Sequence, residues 1–397
     1  MAEPPPEATG PRFSRILGFL VAMFVAAFGY TAYDMVAMPG SSRPSGACAR
    51  APDVQREASL KRHVNALARG ACVAPTLADD PFGDCREGGI LAAPYPRDLT
   101  HPDKLEAAAA YIEGQLTAMG IASSRQAVRV GDLVSSNVVA TLGKPGAPLV
   151  VLGAHYDSHV TSATPGANDN ASGVAALLEL ARVLQEGGAP GLLAAREVQV
   201  VFYTNEEPPY FNRRGRKQMG SEVHASSLED AQRDVRLMLS LETLGNIWDH
   251  CDPEVEKRAR QRFLSDAQRW VYSSSPDFVA FVGSDGSRDA LRSLIGAFRE
   301  RASVPSEGIA LPEGMTYGAV SYSDHRSYAD QGFPALMVTD TAFLRDVDPE
   351  GHNAYHDGEQ VRAELRVSDT VDRLHLDTLA WLVRDLATAL DADQSGA

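Results

Sequence analysis

The sequence predicts an α/β fold: a doubly wound, largely parallel sheet with helices on both faces, preceded by one transmembrane helix. Three observations predict it. Short apolar runs alternate with amphipathic helical stretches from residue 101 to the end, the order that strand–helix–strand units impose. Hydrophobic residues make up 44% of the 397 and charged residues 22%, a balance at which a chain of this length buries a full core. Residues 16–33 are uncharged and almost wholly apolar, and roughly 18 residues is the minimum that crosses a bilayer as a helix.

The amino end is read first. Residues 1–15 are rich in Pro and Glu and form a disordered tail. Arg12 and Arg15 precede the apolar run, which holds its start in the cytoplasm and sends the rest of the chain across the membrane, periplasmic or extracellular. The apolar core of a signal peptide is shorter, on the order of 7–15 residues, and no small-x-small site adjoins this one, so residues 16–37 read as an uncleaved anchor in preference to a cleaved signal. Residues 38–56, with Pro, Gly and Ser, read as a mobile linker. One large domain follows over 57–390, then a polar tail over 391–397. The net charge of −15 excludes nucleic acid as a partner, because an acidic surface repels phosphate. Four cysteines are too few for a disulfide scaffold. Cys72 and Cys85 flank a short loop and either pair in an oxidising compartment or stay thiols.

Within the domain, helical spacing marks 58–69 and 101–119, the latter with Leu105, Ala109, Ile112 and Leu116 on one face. Strands are expected at 149–152, 198–203, 237–241 and 335–338. Helices are expected at 172–184, 291–301 and 374–390. Residues 72–96 are irregular.

Five segments place acidic or His residues just past an expected strand end, the edge where open α/β sheets bind ligands. In Gly153-Ala154-His155-Tyr156-Asp157, alternation puts His155 and Asp157 on one side. By itself such a pair is more often structural than metal-binding. Asp169, in Gly166-Ala167-Asn168-Asp169-Asn170, precedes a helix and is as well suited to capping it as to presenting two oxygens to a cation. Glu206 and Glu207 are adjacent carboxylates at the end of an apolar strand. They repel unless a cation or a shared proton compensates, and one can bind metal while the other accepts a proton from water. Glu242 and the pair Tyr355-His356 complete the set. Two zinc ions carry four positive charges. Asp169 between them, Glu207 and Glu242 supply three negative ones, His155 and His356 add neutral nitrogen, and a bridging hydroxide leaves the cluster near neutrality.

At these segments the sequence resembles the zinc aminopeptidase family of secreted bacterial aminopeptidases, glutamate carboxypeptidase and, more distantly, glutaminyl cyclases and the transferrin receptor. The matching stretches are GAHYDS, PGANDNASGVAALLELAR, TNEEPPYF, MGSEVHA, SLETLG, YSDHRSYADQGFPALMVTDTAF and YH. The resemblance implies a two-zinc exopeptidase domain acting on peptides with a free amino end. It implies His155, Asp169, Glu207, Glu242 and His356 as ligands, Glu206 as general base, Asp157 as the group that orients His155, and Tyr355 as a stabiliser of the oxyanion. It also implies a cis peptide between Asp169 and Asn170.

The sequence departs from the family twice. His356 is followed by Asp357-Gly358-Glu359-Gln360 where the family has Thr-Pro and then Asp, and Ser368-Asp369-Thr370 comes only after an insertion. His352 therefore stands as an alternative last ligand. Arg213-Arg214-Gly215-Arg216-Lys217 is inserted after Phe211 and reads as a solvated basic loop. Three other readings stay open: a carboxypeptidase, a glutaminyl-cyclase-like enzyme, which as that branch is understood would lack His155, and an inactive receptor-like relative, which would lack ligands or base.

Overall fold

The structure, a computed structural model, describes residues 33–44, 48, 51–69, 96–160, 165–213, 215–252, 277–312, 323–340 and 369–395. Seven consecutive buried residues form β3 (Leu149–His155), a run apolar enough to be covered on both faces. It pairs in parallel with β4 (Glu197–Tyr203) on one side and β5 (Val235–Glu242) on the other. β8 (Ala335–Thr339) extends the parallel centre beyond β5. The full order is β1 (Ser123–Val130), β2 (Leu133–Gly143), β4, β3, β5, β8, β6 (Val279–Ser284) and β7 (Ser306–Leu311).

The edges correct the expectation of a largely parallel sheet. β1 and β2 form an antiparallel hairpin, and β2 runs antiparallel to β4. At the other side β6 is antiparallel to β8 and parallel to β7. The physical reason at the first edge is the tight turn at Gly131 and Asp132, since a parallel pair needs a crossover of a dozen residues. Gly131 supplies the positive φ, +59°, that such a turn requires.

Alternation along the strands divides the core. Val150, Leu152, Val200, Phe202, Leu239 and Val338 face one side, and Leu149, Val151, Val201, Tyr203 and Met238 the other. The first side is covered by α1 (Val54–Arg69), α2 (Pro102–Ala118), α3 (Gly173–Gln185), α4 (Pro190–Ala195), α6 (Arg288–Arg301) and α8 (Leu376–Ser395). α2 buries Leu105, Ala109, Ile112 and Leu116, the face its spacing predicts. The second side is covered by α5 (Gly220–Asp230) and α7 (His325–Ala329). α8 continues to Ser395, into the segment expected as a tail. Asp391 on that turn accepts a hydrogen bond from the Leu192 amide.

Under the second face, three rings from different elements share one polar chain. His224 Nδ1 lies 2.5 Å from Tyr328 Oη, and Tyr328 Oη lies 2.7 Å from Tyr203 Oη. Burial pushes the His224 pKa down to about 4, whereas an unfolded His titrates at about 6.5. Between those values the unfolded chain takes up a proton that the folded chain refuses. Stability is therefore at its full value above about pH 6.5 and falls as pH drops towards about 4, by up to about 3 kcal/mol at 1.36 kcal/mol per unit. Urea unfolding at pH 7 and pH 4.5 measures this. His224→Gln should lose clearly less stability across that interval than the native chain.

The expected linker is held in place where it is described. Met38 packs against the core, and the Pro39 carbonyl accepts from Arg299 Nη1. Ser306 donates its amide to Ser42, and Arg43 pairs with Asp277 at 2.9 Å. A disulfide joins Cys48 to Cys251, while Cys72 and Cys85 lie outside the described residues. So do residues 16–32 of the expected anchor, of which 33–36 are described and helical. No helix among the described residues is long and apolar enough to cross a membrane.

Candidate metal centre

Because β3, β4, β5 and β8 are parallel, their carboxyl ends share one edge, and the chain turns there into the acidic segments. His155 is the last residue of β3 and Glu242 the last of β5. Beyond Tyr203, Asn205 adopts φ +59°, a left-handed conformation that Asn tolerates, and the chain doubles back. That turn brings the Glu206 and Glu207 amides onto the two oxygens of Asp157, each at 3.1 Å. Asp157 thus ties the end of β4 to the end of β3. Its Oδ1 also lies 3.4 Å from His155 Nδ1.

Asp169 arrives on a tight turn between Gly166 and α3. The Asp169–Asn170 peptide is cis. Asn170 fixes the exit from the turn: its Nδ2 donates to the Leu241 carbonyl, and its Oδ1 accepts from the Gly173 and Thr243 amides. β3 comes close to its neighbour beside the site. A Cβ on Gly153 would meet the Tyr203 ring at 2.3 Å, so a larger residue there would displace that ring.

The side chains converge. His155 Nε2 lies 3.3 Å from Asp169, 3.4 Å from Glu242 and 3.9 Å from Glu206. One donor atom each from His155, Asp169 and Glu207 fall within 4.8 Å of one another. Glu242 Oε2 accepts from Ser323 Oγ at 2.9 Å. All of these groups are buried.

So many carboxylates out of water cannot all stay ionised without compensation. Burial raises the pKa of Glu206, and the charges of Glu242, Asp324 and Asp157 raise it further against the pull of His155. Burial and the neighbouring Asp169 likewise push Glu207 upward. Asp324 is raised to about 7, chiefly by burial. Burial alone would lower His155, but Glu242, Glu206, Asp157 and Asp169 together carry it well above its ordinary value.

The donor set fits a divalent cation. Neither oxygen of Glu207 and neither ring nitrogen of His155 makes a hydrogen bond to a described group, though all four atoms are buried. Buried polar atoms left this way call for an ion or a water. Oxygen and imidazole donors without a thiolate match open zinc sites. A cation there would hold the carboxylates ionised and invert the shifts just described.

Tyr355, His356 and the alternative His352 lie outside the described residues. The described residues on either side of 341–368 both touch the Asp169 turn. Asp340 Oδ2 accepts from Asn168 Nδ2 at 2.9 Å and from the Asn246 amide. Asp369 accepts from the Asn168 and Asp169 amides. Asp324, Asp340 and the buried Arg97 are members of the site region that sequence reasoning missed. Asp369 was visible in Ser368-Asp369-Thr370, but only as a displaced family position. For Arg97, a lone arginine at the end of an irregular stretch, the sequence carries no signal.

The comparisons with known proteins agree with this geometry. The family model described as Peptidase family M28 matches residues 137–379, more than half of the chain. The Escherichia coli K12 protein YfbL, described as uncharacterized, is 35% identical over 302 residues, 75% of this chain and 83% of its own length. Leucine aminopeptidase 1 of Phaeosphaeria nodorum is 27% identical over 215 residues, 52% of this chain and 46% of its own length, so the chain spans about half of that relative. Two solved structures share the fold. A Zn-dependent exopeptidase from Parabacteroides distasonis has a TM-score of 0.51 at 16% identity, covering 84% of this chain and 97% of that one. A Porphyromonas gingivalis glutaminyl cyclase has a TM-score of 0.51 at 15% identity with the same coverage. With the strand-end cluster and the family match in agreement, the chain belongs to peptidase family M28.

Proposed function

We propose that this metallopeptidase is an aminopeptidase that uses two zinc ions to remove residues from the free amino end of peptides. The observation that carries the reading is the burial of His155, Asp169, Glu206, Glu207 and Glu242 around one point at the carboxyl edge of the sheet. In this reading His155, Asp169, Glu207, Glu242 and His356 would hold the metals. Zinc held there would supply a Lewis acid that polarises a peptide carbonyl and lowers the pKa of water. Glu206 takes the proton from that water and delivers it to the leaving amine. Asp157 accepts from the amides of Glu206 and Glu207 and so fixes the backbone that carries both carboxylates beside His155. Tyr355 donates to the oxyanion.

The surplus of buried carboxylates also attracts an ammonium group, which favours a substrate with a free amino end. The inserted residues Arg213, Arg216 and Lys217 are exposed, and the Glu222 carboxylate accepts from the amides of Gly215 and Gln218. That arrangement supports a solvated loop over a carboxylate pocket. Aminoacyl substrates, their amino-acetylated forms and peptides beginning with Gln, each run with and without chelator, test the reading. The expected result is chelator-sensitive cleavage of the free-amine set, with at least tenfold slower turnover of the acetylated set. Equal rates for both would point to a carboxypeptidase or endopeptidase, and cyclisation of the Gln peptides without cleavage to a cyclase.

The catalytic domain is proposed to act outside the cytoplasm, held by residues 16–33. The disulfide between Cys48 and Cys251 supports an oxidising compartment. Activity in the soluble cytoplasmic fraction of intact cells would refute this placement.

A further inference from the structure

Arg97 and Asp369 take up the peptide groups of the Asp169 turn from its two sides. The Arg97 guanidinium has no exposed surface. Nε donates to the Tyr156 carbonyl at 2.9 Å. Nη1 donates to Leu67 at 2.7 Å and to Pro165 at 3.0 Å, and Nη2 to Gly166 at 3.1 Å. These bonds join three segments: the last turn of α1, the end of β3 and the entry to the Asp169 turn. On the other side, Asp369 accepts from the Asn168 amide and, at 3.1 Å, from the Asp169 amide. Its backbone carbonyl accepts from Ala167. The two residues thus bind the carbonyls of 165 and 166 and the amides of 167, 168 and 169.

All four guanidinium bonds go to neutral carbonyls. A buried cation held only by such bonds costs stability unless charge compensates it. The compensation comes from Asp369, Asp157, Glu207 and Asp169, whose fields act on Arg97. Among the described residues it is the one Lys or Arg with no exposed surface. The fit is close. Gly166 has φ +62°, and a Cβ there would meet Nη2 at 2.9 Å and the Asp169 carbonyl at 2.6 Å. A planar fork donates along several fixed directions at once, which a lysine ammonium at the end of a flexible stem does not reproduce.

We propose that Arg97 is a positioning residue for the metal centre: with Asp369 it clamps the turn that presents Asp169, and so sets zinc affinity without touching metal or substrate. The proposal rests on the reading of Asp169 as a zinc ligand. It differs from a merely architectural role in what it predicts. An architectural arginine would lower stability and leave the affinity of the folded protein alone.

The test is zinc titration of the full chain against a chromophoric chelator for the native protein, Arg97→Lys, Arg97→Gln, Asp369→Asn and the Lys/Asn double variant. Thermal unfolding in chelator and a separate kcat and KM are measured on each. The expected result is zinc held about 10–100-fold more weakly in each single variant, the range for lost outer-shell partners. In the double variant the loss should be less than the product of the singles, because both act on one turn. At saturating zinc, KM should stay within twofold. A folded Arg97→Lys or Arg97→Gln with native zinc affinity overturns the proposal, as do singles whose effects multiply in full. The two Arg97 variants differ in charge, so one that does not fold leaves the other to decide. Native protein that binds no zinc, or an Asp169→Asn variant that binds it normally, would fail the underlying reading instead.

Discussion

Glu206→Gln should retain its zinc and lose turnover by about 10²–10⁴-fold, the usual worth of a general base. Glu206 sits buried, with Oε2 3.9 Å from His155 Nε2, at the turn whose amides rest on Asp157. The substitution keeps shape and volume, so the turn and the amide bond to Asp157 should persist. What disappears is a group able to take a proton and return it. Because Glu206 is the one of the adjacent pair assigned no metal in this reading, metal content measured on the purified variant should match the native chain. The fall should lie almost wholly in kcat. A variant with full zinc and near-native kcat would show that another group, with the buried Asp324 as a candidate, moves the proton.

Asp169→Asn is expected to act in two opposite directions. With an anionic donor gone, zinc should be held at least tenfold more weakly and activity at limiting zinc should be lost. In chelator the same variant should be more stable than the native chain, by about 1 kcal/mol, because one carboxylate leaves a buried and mutually repelling set. The upward shifts of Glu207 and Glu242 both include repulsion from Asp169. Urea unfolding with and without chelator measures both signs. Equal stability of the two metal-free proteins would mean that Asp169 is protonated or compensated before any metal arrives.

The centre of the sheet was legible because its strands are continuous apolar runs. The expected strands at 149–152, 198–203, 237–241 and 335–338 each fall within an observed one, and the acidic groups sit at their ends as periodicity and chain direction require. The hairpin of β1 and β2 was not legible. In β1 only Val128 is buried, so its alternation carries little apolar signal. The residues proposed for the site carry chemistry that marks them in a sequence: adjacent glutamates, a His two residues from an Asp. Their supports do not. Arg97 acts on carbonyls, which any residue supplies, and Asp340 and Asp369 lie 172 and 201 residues along the chain from Asn168, their partner. The contacts made by residues 38–43 were hidden for a related reason. Pro, Gly and Ser report an irregular backbone, not a free one, and Arg299, Ser306 and Asp277 lie too far along the chain to be seen as its partners.

The Cys48–Cys251 bond, 203 residues apart in sequence, closes a covalent ring. His155, Asp169, Glu206, Glu207 and Glu242 all lie on that ring, together with Arg97, while Asp369 and His356 lie on the open arm that follows it. Closing a ring of that size narrows the unfolded ensemble by about 5 kcal/mol of chain entropy. A single backbone cut inside the ring therefore leaves one molecule with both halves of the donor set still tethered, whereas a cut after residue 251 releases the arm. Reduction should erase that difference. The ring makes the half of the centre drawn from β3, β4 and β5 tolerant of nicking, and leaves the arm as the part whose loss a protease can make permanent.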